Sequence, residues 1–174
     1  MPEGRGQFFA IGLRQRIKVG ASGKIVSSFD LLRVLALGAD WGNSARGFMF
    51  ALGCLQSLSC HTDECPTGVA TQDPVRQRAL VVPDKATRVA NFHNQTVAAL
   101  AELIGAAGLT HPSQVRPGHL MTRDGDGRAV SFARSIDTLP AGCLATVDAR
   151  ADALPEPFRS CWGEARADRF AAAS

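Results

Sequence analysis

The sequence predicts an α/β fold with a parallel sheet, and three observations support this class. In the first third of the chain, short apolar runs that can form buried strands alternate with segments whose apolar residues recur at helical spacing. Glycines mark the ends of these segments. Hydrophobic residues make up 45% of the chain and charged residues 20%, which is typical of a globular domain. Strands and helices that alternate in this way form parallel sheets with helical crossovers.

The chain length sets a limit on the architecture. The 174 residues correspond to about one domain, at roughly 100–200 residues per domain. A chain of this size can bury a hydrophobic core. It is too short for a complete (β/α)₈ barrel, which needs about 250 residues.

Charge and hydropathy exclude two classes of partner. The chain carries 19 basic and 16 acidic residues, which gives a net charge of +3, and the basic residues are scattered. We therefore expect no nucleic-acid partner. The sequence has no stretch of about 18 apolar residues, so we expect no membrane-spanning segment. Because residues 1–6 lack the apolar core of a signal peptide, we expect a cytoplasmic protein.

The first strand–helix unit is predicted close to the N-terminus. Residues 16–19 form a short run that favours a strand, and residues 20–23 form a glycine-rich turn. Ser27 can cap a helix over residues 28–37, where apolar side chains recur at helical spacing. Gly38 is expected to end that helix.

The second unit repeats the same order. Residues 39–43 are predicted to form a short strand, and Ser44 to cap a helix over residues 45–55. Residues 56–83 contain two cysteines and three prolines with little periodicity. An irregular stretch of that length is usually functional or disordered.

The longest helix is predicted over residues 84–107, where an apolar stripe follows a proline and a glycine ends the pattern. Shorter elements are expected in the rest of the chain. They are a turn of helix within residues 111–117, a tight turn at residues 124–127 and a short helix over residues 156–170.

Two loops are candidates for binding an anion. Each lies where a predicted strand is followed by a helix, and backbone N–H groups at a helix N-terminus readily bind phosphate. Glycine lets the backbone approach such a ligand closely, and Lys24 and Arg46 add positive charge. Glycine turns after strands are also common in loops that bind nothing. The candidate residues are Gly20, Ala21, Ser22, Gly23 and Lys24 in the first loop, and Ser44, Ala45 and Arg46 in the second.

Three of the five cysteines are crowded together with the spacing C-x₅-C-x₄-C. Such crowding in a reducing compartment indicates a metal site rather than disulfides. Cys54, Cys60 and Cys65 could bind an iron–sulfur cluster, and three thiolates suit a three-iron cluster. With His61 as the fourth ligand, they could instead bind zinc. Alternatively, Cys54 is a buried apolar residue and the other two have no role.

Other residues are predicted to be structural. His93 lies beside the apolar stripe of the long helix, and Cys143 and Cys161 have no partner at a ligand spacing. The apolar residues 48–50 are expected in the core rather than at a cofactor.

These segments resemble the FMN-binding domain of the glutamate synthase family, near its C-terminal end. The resemblance is most specific at the cysteines, in the sequence CHTDECPTGVATQDP. Both candidate loops lie in the resembling segment IKVGASGKIVSSFDLLRVLALGADWGNSARGFMFALGC. The similarity continues through RALVVPDKATRVANFH, and LPEPFRSCWGEARADRF is similar to the end of single-chain members of the family.

The resemblance implies an FMN- and 3Fe-4S-dependent oxidoreductase of amino-acid biosynthesis. In this family, 2-oxoglutarate and ammonia released from glutamine form an imine that reduced FMN converts to glutamate. Electrons reach the flavin through the cluster from an NAD(P)H-dependent subunit or from ferredoxin. The eight residues of the two candidate loops would hold the FMN phosphate. Cys54, Cys60 and Cys65 would ligate the cluster.

The resemblance also implies a domain organisation. Residues 1–11 match the family poorly. Residues 12–117 correspond to the last two β/α units of a partial TIM (β/α)₈ barrel, followed by its cysteine loop and long helix. Residues 118–174 form a C-terminal extension. Six strands and the amidotransferase domain would lie on a missing portion or on a separate chain. We therefore expect the isolated chain to be inactive. Two alternatives stay open: a non-catalytic zinc or iron–sulfur module, and an inert fragment.

Overall fold

A computed structural model describes residues 13–136, 139, 142–143, 154–156 and 158–160. The chain divides into two compact units, of which the larger comprises residues 18–136. The smaller combines residues 1–17 with residues 137–174. Within the smaller unit, a 3₁₀ turn spans Arg14–Arg16, and the Arg14 side chain donates a hydrogen bond to the Ile17 carbonyl oxygen at 2.9 Å.

Two short parallel strands confirm the predicted strand–helix–strand order in the larger unit, which has a mixed α/β structure. Strand β1 spans Gly20–Ser22, and strand β2 spans Trp41–Asn43. They pair in parallel with Ala21 opposite Gly42. Helix α1, which spans Ser28–Ala36, connects them. The sequence predicted a helix over residues 28–37, so the helix is correct to within one residue.

The position of strand β1 corrects the sequence prediction, which placed a strand at residues 16–19 and a turn at residues 20–23. The Val19 N–H group donates to the Asp40 carboxylate at 2.7 Å, and the Val19 carbonyl accepts the Asp40 N–H group at 2.7 Å. These bonds anchor the chain just before the hydrogen-bonded pairing of β1 with β2 begins. Gly20 can start the strand because it leaves room for the Trp41 indole, which a Cβ atom at that position would hit.

Helix α2 spans Ala45–Leu52, whereas the sequence predicted a helix over residues 45–55. The helix ends at Gly53, whose φ of 107° lies in the left-handed region that glycine tolerates. The Gly53 N–H group bonds to the Phe50 carbonyl oxygen at 2.9 Å, and this contact closes the last turn. The Cys54 N–H group bonds to the Met49 carbonyl oxygen at 3.0 Å, so the chain leaves the helix at the first cysteine.

The irregular stretch predicted over residues 56–83 contains one short helix, α3, at Pro74–Gln77. Helix α4 then spans the 25 residues Val82–Ala106, against a prediction of residues 84–107. It begins earlier because Pro83 fits the first turn, where no intrahelical N–H bond is needed. In the part of the chain that the structure describes, no helix is both long and apolar enough to cross a membrane.

The core lies on two sides of helix α1. One cluster joins α1 to α4 and the turns that follow it, and the other joins α1 to the ends of the strands. The first contains Leu32, Leu35, Ala36, Leu100, Ile104, Val115 and Leu120, and the second contains Ile25, Val34 and Ala39. Helix α2 also packs on α4, where the rings of Phe48 and Phe92 meet edge to face with centroids 5.1 Å apart. Helix α4 therefore supports both strand-to-helix units.

A hairpin lies beyond helix α4. Strands β3 (Met121–Arg123) and β4 (Ala129–Ser131) pair in antiparallel fashion. The sequence predicted the tight turn at residues 124–127 but neither strand. Three short 3₁₀ turns complete the larger unit, at Pro112–Gln114, Pro117–His119 and Phe132–Ser135. Of the helix predicted over residues 156–170, residues 158–160 are helical, and most of the remainder lies outside the described residues.

The start of helix α1 yields a prediction about stability and pH. Ser27 and Asp30 form a capping box, in which the Asp30 carboxylate accepts the Ser27 N–H group at 3.0 Å. The hydrogen bonds from Ser27, backbone and hydroxyl, lower the pKa of Asp30. A lowered carboxyl pKa stabilises the fold above the unfolded value of about 4, and the effect is lost as pH falls through the folded pKa.

We therefore expect Asp30→Asn to lower the free energy of unfolding at pH 7 by about 0.5–1 kcal/mol. The difference between the variant and the wild type should shrink toward zero as pH falls through the lowered pKa of Asp30. Urea unfolding at several pH values measures it, with Glu102→Gln on the exposed side of helix α4 as the control. A difference that is the same at all pH values would contradict the capping role.

Candidate functional site

A solvent-open cleft of about 370 Å³ lies at the C-terminal ends of strands β1 and β2, beside the loops that lead to helices α1 and α2. Its volume falls within the roughly 300–1,000 Å³ range of ligand pockets. The cleft brings together the two candidate anion loops and two of the three crowded cysteines. The predicted residues in its wall are Ser22, Gly23, Lys24, Ala45, Arg46, Cys54 and Cys60. Gly20, Ala21, Ser44 and Cys65 are predicted residues that do not line it.

The first loop turns sharply after strand β1. Gly23 has a φ of 107° and Lys24 a φ of 54°, so two successive residues lie in the left-handed region. A non-glycine residue in that region is uncommon and costs about 1–3 kcal/mol. Apart from its two chain neighbours, no described residue has an atom within 4 Å of the place where a Cβ atom of Gly23 would be, so a ligand can approach the backbone there. This loop therefore offers an open backbone surface beside the Lys24 ammonium group.

The second loop is tied to the first by Ser44. The Ser44 hydroxyl donates to the Ile25 carbonyl oxygen at 2.7 Å and makes no capping bond to helix α2. The first backbone N–H groups of a helix have no intrahelical acceptor, and they carry the positive end of the helix dipole. Ser44 thus fixes the spacing of the two loops and leaves the N–H groups at the start of α2 for an anion.

The electrostatics of the cleft favour a negatively charged ligand. Lys24 and Arg46 are both exposed in its wall. No carboxylate is among the described residues that line it. Cationic groups make charge-assisted hydrogen bonds to phosphate oxygens, which are about twice as strong as neutral ones. The arrangement therefore favours an anionic group such as a phosphate.

The structure separates the three crowded cysteines. Cys54 is half-buried and Cys60 exposed, and both lie in the cleft wall. Cys65 is buried farther along the loop. Within the described residues, no three His, Cys, Asp or Glu side chains lie close enough together to hold one metal ion. Neither the three cysteines nor the zinc set that adds His61 forms such a group, so both ligand sets stay predictions.

Cys65 has the chemistry of a thiolate ligand. Hydrogen bonds from the Thr67 hydroxyl and from the backbone N–H groups of Ala70, Thr67 and Val69 lower the pKa of Cys65 to about 7. The Thr67 oxygen lies 3.5 Å from the sulfur. The thiolate is the form that binds metals, and hydrogen bonds to sulfur tune iron–sulfur clusters. Cys65 therefore has the chemistry of a cluster ligand, whereas the described loop does not bring the three sulfur atoms to one point.

Several cleft residues were missed from the sequence. Met49 and Phe50 line the cleft, although residues 48–50 were expected in the core. Asn43 and Gln56 line it as well. The signal that could have found Met49 and Phe50 is their spacing from Arg46, because residues three and four apart share a helix face.

Comparison with known proteins matches residues 1–110 to a family described as a conserved region in glutamate synthase. The match extends over both anion loops and all three crowded cysteines. The chain belongs to the glutamate synthase family. The resemblance deduced from the two loops and the cysteine spacing is thereby confirmed.

Relatives within the glutamate synthase family share this segment. The chain is 43% identical over 121 residues to a glutamate synthase large subunit-like protein, YerD, of Bacillus subtilis. The aligned residues make up 70% of this chain and 23% of YerD. It is 39% identical over 105 residues to an archaeal glutamate synthase [NADPH] of Methanocaldococcus jannaschii, an alignment that covers 60% of this chain and 21% of that protein. It is 40% identical over 75 residues to ferredoxin-dependent glutamate synthase 1 of Arabidopsis thaliana, an alignment that covers 42% of this chain and 5% of that protein. The chain thus spans less than a quarter of the length of each of these relatives.

Proposed function

We propose that the chain is the cofactor-binding end of a glutamate synthase, which makes glutamate by reductive amination of 2-oxoglutarate with ammonia derived from glutamine. One observation carries the proposal: in a chain of this family, a single cleft is lined by both strand-to-helix loops and by two of the three crowded cysteines. The cleft combines a cationic phosphate-sized surface with thiol ligands. These are the two kinds of group that FMN and an iron–sulfur cluster require.

Strands β1 and β2 are proposed to be the last two strands of a (β/α)₈ barrel within a segment of residues 12–117, with residues 118–174 as an extension. Parallel sheets are normally covered on both faces, yet Trp41 of β2 is 48% exposed. The ladder contains only these two strands among the described residues. Six further strands, from the same or another polypeptide, would cover the sheet and supply the contacts to the flavin ring and 2-oxoglutarate. Catalysis would require them.

The two loops are proposed to hold the FMN phosphate. When bound, FMN supplies hydride for the reductive amination. Lys24 and Arg46 would neutralise the phosphate, and the open backbone at Gly23 and the first N–H groups of helix α2 would bind its oxygens. Ser44 would keep the two loops at a fixed spacing through its bond to Ile25.

Cys54, Cys60 and Cys65 are proposed to ligate a 3Fe-4S cluster, which supplies one-electron transfer when bound. The electrons would come from an NAD(P)H-dependent subunit or from ferredoxin. Because the segment between Cys54 and Cys65 separates the sulfur atoms, it would have to rearrange when the cluster binds. Gln56 and Leu58 in that segment have φ of 56° and 59°, a strained conformation that a rearrangement would relieve.

The phosphate site makes a prediction that compares FMN with riboflavin. We expect FMN, and not riboflavin, to shift the NMR signals of the backbone N–H groups of Gly23, Lys24, Ala45 and Arg46. Arg46→Ala or Lys24→Ala should weaken FMN binding about tenfold or more, because a hydrogen bond to a charged group contributes about 1.5–3 kcal/mol.

The matched control for that titration is Arg128→Ala in the hairpin of strands β3 and β4, whose side chain is 79% exposed and does not line the cleft. It removes the same charge without touching the cleft. The proposal would be contradicted if riboflavin bound as tightly as FMN, or if Arg128→Ala and Arg46→Ala weakened FMN binding equally.

A further inference from the structure

Gly47 is a buried glycine in the first turn of helix α2, although only proline is less favourable than glycine inside a helix. A Cβ atom at this position would lie 2.6 Å from the Phe92 ring of helix α4 and 2.6 Å from the Ser44 hydroxyl oxygen. Both distances are far shorter than an ordinary van der Waals contact. The absence of a side chain at Gly47 therefore makes room for two groups at once, the Phe92 ring and the Ser44 hydroxyl.

The Phe92 ring reaches this space from outside the cleft. Neither Gly47 nor Phe92 lines the cleft, whereas Arg46 and Met49 of the same helix α2 do. The Phe48 ring also meets Phe92 edge to face, with centroids 5.1 Å apart. Two successive residues of helix α2 thus hold the Phe92 ring, on a part of the helix surface that does not face the cleft.

Helix α4 is fastened to helix α1 one turn beyond Phe92. The Thr96 carbonyl oxygen accepts the hydroxyl of Ser28, the first residue of α1, at 2.9 Å. The Thr96 hydroxyl donates to the Phe92 carbonyl oxygen at 2.7 Å. One short stretch of α4 therefore contacts the starts of both helices that follow the candidate loops. We call its two contacts, Phe92 on Gly47 and Thr96 with Ser28, the α4 brace.

The α4 brace acts on the cleft through Ser44. The Ser44 hydroxyl donates to the Ile25 carbonyl oxygen at 2.7 Å, and this bond joins the two loops. A side chain at position 47 would occupy the place beside the Ser44 oxygen and turn the hydroxyl away from Ile25. The Phe92 ring borders the same place, so it limits the access of water to the Ser44 bond. A hydrogen bond is stronger where water is excluded.

We propose that Gly47 and Phe92 are positioning residues for the phosphate cleft. The ring that is seated on Gly47 holds the first turn of helix α2, so that the Ser44 hydroxyl reaches Ile25 and the α2 residues in the cleft wall keep their place. The affinity of the cleft for a phosphate monoester is then set from helix α4, by residues that do not touch the ligand. This inference rests on the proposed FMN phosphate site, but the seating of the ring needs no ligand.

The test uses two variants and two references. Gly47→Ala places a Cβ atom against the ring and the hydroxyl, and Phe92→Leu keeps an apolar side chain but removes the ring. Ser44→Ala removes the bond to Ile25 outright and shows the effect of its loss. Phe132→Leu is the matched control, because Phe132 is also half-buried but packs against the core cluster between helices α1 and α4 and does not line the cleft.

The first measurement is made on the ligand-free chain. The carbon-13 NMR shift of the Ile25 carbonyl reports the hydrogen bond that this carbonyl accepts from Ser44. We expect Gly47→Ala to move the shift to its value in Ser44→Ala, and Phe92→Leu to move it in the same direction by less. Phe132→Leu should leave the shift at the wild-type value.

The second measurement is the ratio of the dissociation constants of riboflavin and FMN, which reports the contribution of the phosphate. Gly47→Ala should reduce this ratio about tenfold, because a displaced first turn gives up a charge-assisted hydrogen bond to the phosphate. Phe92→Leu should give a smaller decrease, and Phe132→Leu none. A general loss of stability would weaken the binding of both flavins equally and leave the ratio unchanged.

Each outcome decides the inference. An Ile25 shift that stays at the wild-type value in both Gly47→Ala and Phe92→Leu would overturn it, and so would an unchanged ratio in both variants of a chain that prefers FMN. A wild-type chain that binds riboflavin as tightly as FMN would contradict the proposed phosphate site alone. The carbonyl shift then still decides, because a moved shift supports the positioning role and an unmoved shift overturns it. If Gly47→Ala does not fold, Phe92→Leu serves for both measurements.

Discussion

Replacing Gly68 with alanine is expected to destroy the loop around Cys65 and with it the capacity to bind iron. Gly68 is buried and has a φ of 74°, in the left-handed region where a side chain is strained. A Cβ atom at this position would collide with the carbonyl oxygen of Arg76 in helix α3. That atom belongs to the backbone, so no side-chain rotation can relieve the collision. The strain and the collision together should cost about 2–4 kcal/mol.

Gly108 provides a matched control for Gly68→Ala. Its φ of 73° is almost the same, but in the part of the chain that the structure describes no atom beyond its two chain neighbours lies within 4 Å of the place where its Cβ atom would be. Gly108→Ala should therefore cost only the backbone strain, about 1 kcal/mol, and leave iron binding unchanged. Urea unfolding and iron content after reconstitution measure both variants. Equal losses of iron in the two variants would contradict the role assigned to the Cys65 loop.

Replacing any one of the three crowded cysteines with serine is expected to reduce bound iron from about three atoms per chain to less than about one. Cys54, Cys60 and Cys65 would each hold a different iron atom of the cluster, so losing one ligand removes a corner that water cannot hold stably. The measurement is iron and sulfide content after anaerobic reconstitution, together with the visible spectrum. The loss should be similar for the three variants, although Cys54 and Cys60 lie in the cleft and Cys65 does not.

Cys143→Ser is the control for these variants, because Cys143 lies in the smaller unit and no ligand role is proposed for it. It should bind as much iron as the wild type. A chain in which Cys65→Ser retains full iron content, or in which Cys143→Ser loses it, would contradict the proposed ligand set.

The strand–helix–strand core could be predicted because each of its signals is local. Ser27 and Asp30 mark the start of helix α1, and Gly38 follows its end. The end of helix α2 was placed too late because Leu55 continues the apolar pattern. In the structure, Leu55 is 72% exposed, and the left-handed conformation of Gly53 ends the helix first. A glycine cap therefore outweighed hydrophobic periodicity.

The hairpin could not be predicted because strands β3 and β4 have three residues each. So short a run contains little of the alternating pattern by which a half-buried strand is recognised. Only the turn between them, with its two Asp-Gly pairs, was visible in the sequence.

The candidate site could be predicted only in part, because some of its features depend on local sequence and others on tertiary packing. The two anion loops follow from the order of strands and helices, which is local. The cleft contacts of Met49 and Phe50 depend on which face of helix α2 packs on Phe92 and which faces the loops, and that is a tertiary property. The bond from Thr71 to Asp63 spans eight positions of an irregular loop, where no periodicity reveals a partner.

The most direct test of the account is elemental analysis of the wild-type chain after anaerobic reconstitution with ferrous iron and sulfide. The account predicts a brown protein with about three irons per chain and the paramagnetic resonance signal of an oxidised 3Fe-4S cluster. A colourless chain without iron, or one that binds a single zinc ion through the cysteines and His61, would contradict it.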